Sequence, residues 1–453
     1  MKLKKRIFAG LVMCMTVVVL LGLYIHFFQP EVQTSMEHNV NSILRTNLER
    51  KHVSNQNIRL RFQSPISNVA TLTGLKINAK LQNMNFTKYQ RSLSYKNILD
   101  YLCSDLKIKI KLKQSPWTIA SNWITSREIH PDHSKEMGSI VTQMVEGKII
   151  SADVGRKGTQ LKIMLTLEGQ QKVVFKPKRF PRDHIIQGQP YAGADRHNGE
   201  IAAFHLNRLL GFNRTPLTVG RKINLQSEIK PIASSALLKT FTKQDNNSCF
   251  YGHCYYCKPS DPACGEGDVI EGAVILWLPE RFTLKKYRHP WQRTYRDNIS
   301  ARWEVDHGYC ERVRLNPLYK TGPRLLDIID ASIFDYLIGN ADRHHYEVFA
   351  DAPDSMVLLL DNGKSFGNPY WDELTILAPL YQCCRIRSKT YLRLQMFINH
   401  LEESMKEILS YDPISPVLTK HHLEAFDRRL KTIMAAIEVC CDEKGQSNVV
   451  VDV

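Results

Sequence analysis

Residues 339–347 read GNADRHHYE, and residues 360–363 read LDNG. Before the first string, Leu325, Ile328, Ile329, Ser332, Ile333, Tyr336 and Leu337 occupy positions i, i+3, i+4, i+7, i+8, i+11 and i+12, each three or four residues from a partner. That spacing predicts one buried face of a helix ending at Gly339. Asp342 therefore lies on a polar loop just past a rigid element. The apolar run Met356–Leu360 reads as a strand and delivers Asp361 nineteen positions beyond Asp342. Alone, Asp-Asn-Gly reads as a tight hairpin turn. With Asp342 upstream, the pair suits phosphoryl transfer. One carboxylate accepts the proton of an attacking hydroxyl, and the other holds a divalent cation against a nucleotide.

Working outward, the N-terminal half supplies the remaining parts. Lys148–Val154 reads as a strand, and residues 155–160 as a turn carrying Gly155 and Gly158. Leu161, Ile163, Leu165 and Leu167 then alternate with polar or mixed positions, the period of a half-buried strand. Lys172–Lys176 (KVVFK) makes a third strand closed by Lys176, a cation suited to the phosphates of a nucleotide. Gln160 and the turn's amides are placed to cover those phosphates. Glu200 follows 24 residues after Lys176, early in a helix expected over 198–210, where it pairs with the lysine or reaches metal. Residues 273–278 (AVILWL) read as a buried strand leading into a connector stopped by Pro279. Glu347, five residues after Asp342, stands where kinases carry a metal-binding Asn, and suits a metal or metal-linked nucleotide contact. His344 and His345 invite a zinc reading, but neighbouring residues point in different directions, which favours packing. Two further amphipathic helices are expected at about 390–410 and 420–440, with a frayed tail after Cys441. The order of parts predicts an α+β, bilobal, protein-kinase-like fold with a small β-rich N-lobe and a larger, mainly helical C-lobe.

Composition sets the compartment. The chain has 453 residues, 43% of them hydrophobic and 23% charged, which excludes a disordered or collagen-like chain. A net charge of +16 attracts polyanions without choosing among them. Residues 7–28 contain no charged side chain and are long enough to span a bilayer, with Lys2, Lys4, Lys5 and Arg6 in front. The positive-inside rule places residues 1–6 in the cytosol, 7–28 as a signal anchor and the rest in the lumen, which argues against nucleic acid as a partner. Residues 29–90 read as a luminal stem, 91–272 as the N-lobe with an N-terminal extension and a Cys-rich insert, 273–441 as the C-lobe and 442–453 as a tail. An oxidising lumen favours disulfides among the 11 cysteines. Cys249, Cys254, Cys257 and Cys264 crowd one insert, where a zinc site is the alternative. Cys310, Cys383, Cys384 and Cys440 belong to the larger lobe, and Cys103 and Cys441 are unassigned. Asn85, Asn213, Asn246 and Asn298 open N-x-Ser/Thr sequons as glycosylation candidates.

The strings KGTQLK, VVFKPKR, AGADRHNGEIAAFHLNRLLGF, CFYGHCYYC, GNADRHHYE and LDNGKSFGNP resemble the secretory-pathway kinases of the family with sequence similarity 20, from about Lys148 to Cys441. That family contains a kinase of Ser-x-Glu sites on secreted proteins, a pseudokinase, and a branch that phosphorylates the 2-hydroxyl of xylose in the glycosaminoglycan linkage region of proteoglycans. RDHIIQGQPYAGADRHN, GHCYYCKPSDPAC and GNPYWDELTILAPLYQCC resemble the xylose-directed branch, whereas CCRIRSKTYLRLQ is similar to the protein-kinase branch. The resemblance implies a Golgi, type II membrane enzyme, either retained or released by stem cleavage, using ATP and Mn²⁺ (or Mg²⁺). It implies Asp342 as catalytic base and Asp361 with Glu200 as metal ligands. Gln160, Lys176, Glu347 and Asp361 would bind nucleotide, and Ile275, Leu276, Trp277 and Leu278 would line the adenine connector. Tyr370 and Trp371 follow as candidate sugar contacts. The implied disulfides are Cys249–Cys264, Cys254–Cys257, Cys310–Cys383 and Cys384–Cys440. A Ser-x-Glu protein kinase and a non-catalytic glycan-binding scaffold are the alternatives; the sequence gives no oligomeric state.

Overall fold

The computed structural model describes residues 69–89, 93–155, 158–296 and 298–452. The apolar run 7–28 and most of the expected stem lie outside them. Among the described residues no helix is long and apolar enough to cross a membrane.

Strands β1 (Ile149–Val154), β2 (Ile163–Leu167), β3 (Gln171–Pro177), β4 (Thr218–Asn224) and β5 (Val269–Leu276) form one antiparallel sheet in the order β1-β2-β3-β5-β4. β2 keeps the alternation read from its sequence. β3 does not, because it is the middle strand and its last five residues, Val173–Pro177, are all buried. Lys176 faces Ala273 across the ladder, so the 273–278 segment runs beside the lysine's own strand. Helix α1 (Val69–Asn83) falls in the stretch expected to be stem. It packs instead against the long C-terminal helix described below, with Lys76–Glu443 and Lys80–Asp442 ion pairs of 2.7 and 2.6 Å. A second helix, α2, spans Ser94–Lys107. Helix α3 (His197–Leu209) matches the helix expected over 198–210, and all thirteen of its residues are buried. It lies between the two cores: Phe204 joins the sheet's core, while Ile201 and Leu206 join that of the larger lobe.

The larger lobe is built around helix α4 (Arg324–Ile338), buried along its whole length. Its charges survive burial only because they are paired. Asp327 meets Arg127 and Arg387 at 2.7 Å each, and Asp330 meets Arg214 at 2.9 Å. Gly339 ends the helix at φ 69°, a left-handed conformation that glycine adopts without penalty. Asn340 then donates its backbone N–H to Asp335 O at 2.8 Å, turning the chain into the loop.

Three sequence expectations change here. Met356–Leu360 is not a strand: Leu358 makes one isolated bridge, to Glu347, and the neighbouring amides reach Ser126 O and Arg214 O. An apolar run buried on all sides looks the same in sequence whether or not it is laddered. The strand lies earlier, at β7 (His345–Phe349), paired with β6 (Leu284–Arg288). The helix expected at 390–410 is broken into Ser388–Met396 and Leu401–Leu409 around Asn399, at φ 65°. Finally, helix α5 (Lys420–Lys444) is followed by a short helix, and Val450–Val451 pairs in parallel with Ile386–Arg387, so the tail is anchored rather than frayed.

All four disulfides implied by the resemblance are formed, which removes the zinc reading of the insert; Cys103 and Cys441 are free thiols. Cys310–Cys383 closes the longest loop, with a sequence separation of 73. Replacing both cysteines by serine is expected to cost about 2–5 kcal/mol, read as a lower denaturant midpoint. Asn85, Asn246 and Asn298 are exposed, but Asn213 is not an available acceptor. It is 3% exposed, and its Nδ2 donates to Asp132 at 2.7 Å. That nitrogen is the atom a glycan would need.

Candidate active site

Lys176 gathers the acids. Its Nζ lies 2.6 Å from Glu200 Oε1, 2.6 Å from Asp361 Oδ1 and 2.8 Å from Asp195 Oδ2. Burial works against the ammonium charge, but Asp195, Asp361 and Glu200 outweigh it and raise the pKa well above that of an ordinary lysine. The Lys176 charge in turn holds Asp361 well below the usual carboxylate range. The Asp361 side chain, 73% exposed, opens toward solvent, whereas Asp195 and Glu200 are enclosed. Among the described residues, the oxygens of Asp195, Glu200 and Asp361 form the one group able to hold a metal ion, all within 4.8 Å of one another. Three hard oxygen donors fit a Mg²⁺- or Mn²⁺-class cation and do not suit a soft one.

Glu200 is fixed from two sides. It sits in the first turn of α3 and accepts the Asn362 backbone N–H at 3.0 Å and its Nδ2 at 3.3 Å. The Asn of Asp-Asn-Gly thus ties the helix glutamate to the Asp361 loop. Gly363 is required because Asp195 packs against it: a Cβ there would fall 2.5 Å from the Asp195 carboxyl carbon. Gln160, read as a phosphate cover, accepts the Asp195 backbone N–H at 3.2 Å.

The Asp342 loop is a separate, linked unit. Arg343 forks onto Asp335 of α4 at 2.5 and 2.8 Å. It also reaches Leu360 O at 2.7 Å and Asn362 Oδ1 at 2.8 Å. One planar guanidinium therefore locks the Asp342 loop to the Asp361 loop. Asp342 Oδ1 accepts a hydrogen bond from Tyr295 OH at 2.6 Å, and the Asp342 carbonyl meets His344 Nδ1 at 2.7 Å. Burial and the Asp342 charge together hold the Tyr295 phenol strongly protonated. His344 and His345 pack ring to ring at 4.6 Å and, among the described residues, join no group able to hold a metal.

Other expected residues lie further out. Glu347 stands on β7, outside the carboxylate cluster, where its charge acts on Arg343. Ile275 and Leu276 end β5, and Trp277, 45% exposed, follows. Trp371 lines a small cavity with Arg196 and Gly339 beside the start of the Asp342 loop. Tyr370 instead packs near His421, ring centroids 5.2 Å apart. Sequence reasoning missed Asp195, Tyr295 and the clamp by Arg343. Asp195 sits in a loop without periodicity, but its place five residues before Glu200 was a usable signal.

A pH-sensitive contact supports α3. Burial disfavours the Glu271 charge, but His197 and Arg182, at 3.0 and 2.9 Å, overcome it and hold the carboxyl at about 2. A depressed acid stabilises the fold above its unfolded pKa, and that contribution fades as pH falls from about 4.5 toward 2. Wild type is expected to exceed Glu271→Gln in stability at neutral pH by on the order of 3 kcal/mol. Melting temperatures of the two proteins should converge through that window.

A five-stranded antiparallel sheet, a lysine buried against acids from α3 and from the segment after the helical lobe's loop, and an aspartate on that loop define a protein-kinase-like phosphotransferase. The family model described as Golgi casein kinase, C-terminal, Fam20, matches residues 115–449, and the chain belongs to this family. It is 57% identical over 341 residues to the human protein named glycosaminoglycan xylosylkinase, covering 75% of this chain and 83% of that one. It is 41% identical over 340 residues to the human extracellular serine/threonine protein kinase FAM20C, covering 73% and 58%. A solved structure of hydra Fam20 with sugar superposes with a TM-score of 0.73 at 50% identity, covering 75% of this chain and 99% of that one. The Golgi casein kinase with Mn/ADP bound gives 0.72 at 32%, covering 89% and 96%.

Proposed function

We propose that this chain is an ATP-dependent kinase that phosphorylates the 2-hydroxyl of xylose in the proteoglycan linkage region. It works in the Golgi lumen behind a type II anchor at residues 7–28. The single observation that carries the acceptor is the 57% identity to the human xylosylkinase, against 41% to the human protein kinase. The intact lysine and acids argue against a silent scaffold.

Asp195, Glu200 and Asp361 would hold the divalent ion, which neutralises phosphate charge when bound. Lys176 orients the triphosphate from β3, and Gln160 and Glu347 flank the nucleotide. Ile275–Leu278 forms the adenine edge, where the chain leaves the sheet. Asp342 accepts the proton of the xylose hydroxyl as the new P–O bond forms, and Tyr295 fixes the carboxylate's orientation. Catalysis here is mostly positioning and charge stabilisation. Trp371 is the better placed of the two aromatic candidates for a sugar contact, beside the start of the Asp342 loop.

The deciding experiment incubates the enzyme with labelled ATP and Mn²⁺ and offers a Gal-Xyl glycoside or casein. Label on the glycoside is expected. Label on casein alone would transfer the chain to the protein-kinase reading, and nucleotide binding with no transfer would make it a scaffold.

A further inference from the structure

Beside the Asp342 loop lies an open cleft of about 880 Å³. Its walls come from residues 288–296, 299–303 and 309–319. Arg288, Arg293, Arg296, Arg302 and Arg312 line it, with no Asp or Glu among the described lining residues; Asp297 lies outside those described. Trp303, Tyr309 and Tyr319 lie among the arginines. His289 adds no charge, since burial lowers its pKa to about 3.

The acids nearby do not cancel these guanidinium groups. Arg302 and Arg312, 62% and 49% exposed, share the one carboxylate of Asp306, at 3.4 and 3.1 Å. Glu304 accepts the Ala301 backbone N–H, and Glu373 lies 3.6 Å from Arg293. Arg288 spends its Nε on the neutral Gln292. Strand β6 extends the positive face with Lys285 and Lys286, both exposed.

The cleft is continuous with the chemistry. Thr294 lines it, and the next residue, Tyr295, donates to Asp342. A small cavity behind Tyr295, reaching Asn340 and Arg343, shares His289, Arg293 and Trp303 with the cleft. Through these shared residues the cleft reaches the walls of the Asp342 loop.

We propose that this arginine-lined cleft binds an acidic segment of the protein that carries the acceptor sugar. The proposal rests on the xylose-kinase reading: a xylose joined to a serine brings its own polypeptide to within one sugar's width of the base. Aspartate and glutamate carboxylates match the planar, bidentate fork of arginine. Partly exposed pairs of this kind contribute through the acceptor's KM and are weakened by salt.

The test uses the full luminal enzyme, ATP, Mn²⁺ and three acceptors. These are a Gal-Xyl glycoside without peptide, a Gal-Xyl-serine peptide flanked by glutamates, and the same peptide flanked by glutamines. Wild type is expected to show about a ten-fold lower KM for the glutamate peptide, at similar kcat, with the gap closing as salt rises. Arg302→Glu/Arg312→Glu should abolish or invert that preference while leaving glycoside kinetics unchanged, which also certifies its fold. Equal KM values for the two peptides in wild type would overturn the proposal. So would a heparin oligosaccharide that competes with the glycoside while the peptides bind alike, since the cleft would then serve a sulfated glycan. Failure of wild type to label the glycoside would instead overturn the xylose-kinase reading itself.

Discussion

Asp342→Ala is expected to lower kcat for xylose phosphorylation by about 10²–10⁴-fold, the range for loss of a positioned general base. Its carboxylate lies on a half-buried loop, accepts a hydrogen bond from Tyr295 at 2.6 Å and has His344 Nδ1 3.7 Å away. Removing it leaves the Arg343 clamp on Asp335 and Asn362 in place. The melting temperature and the affinity for ATP should therefore hardly move, and the loss should fall on kcat. Tyr295→Phe separates orientation from proton transfer. It removes a hydrogen bond to a charged acceptor, worth about 1.5–3 kcal/mol if fully expressed in the transition state. Its kcat should fall by about ten- to a hundred-fold, short of the aspartate's loss. Steady-state kinetics with a Gal-Xyl glycoside, alongside nucleotide binding by calorimetry, reads both. An Asp342→Ala enzyme within ten-fold of wild type would assign the base to another group.

What was legible in the sequence follows from where the information resides. The 3-4 spacing of Leu325–Leu337 and the alternation of Ile163–Leu167 are local, so α4 and β2 could be read directly. Lys176, Glu200, Asp342 and Asp361 could be singled out as candidates because each follows or opens a segment with a local pattern or lies at a fixed spacing from another candidate. Asp195 and Tyr295 were not, because their roles arise from contacts across the fold: Asp195 with Lys176, Tyr295 with a residue 47 positions away. Burial also erased some signals. Val173–Pro177 and Met356–Leu360 are both enclosed, yet one is a central strand and the other an unladdered segment. The buried carboxylates of α4 looked like interruptions of an apolar face until Arg127, Arg214 and Arg387 supplied their partners.

Lys176→Met should abolish turnover and also destabilise the protein in metal-free buffer, for one electrostatic reason. Asp195 and Glu200 have side chains only 7% and 4% exposed, and both depend on the Lys176 ammonium, as does the more open Asp361. Leaving buried charges without their partner typically costs about 3–5 kcal/mol. A divalent cation offers the same three carboxylates a replacement charge. In wild type it must share them with the ammonium, whereas in the variant it meets no competitor. Millimolar MnCl₂ is therefore expected to raise the melting temperature of Lys176→Met more than that of wild type, because an ion that binds only the native state stabilises it in proportion to its affinity. The variant should remain inactive throughout, since the ion does not replace the grip on the triphosphate proposed for Lys176. Equal Mn²⁺-dependent shifts in the two proteins would mean that the ion and the lysine do not share these acids, and the assignment of Asp195, Glu200 and Asp361 as one ligand set would fall.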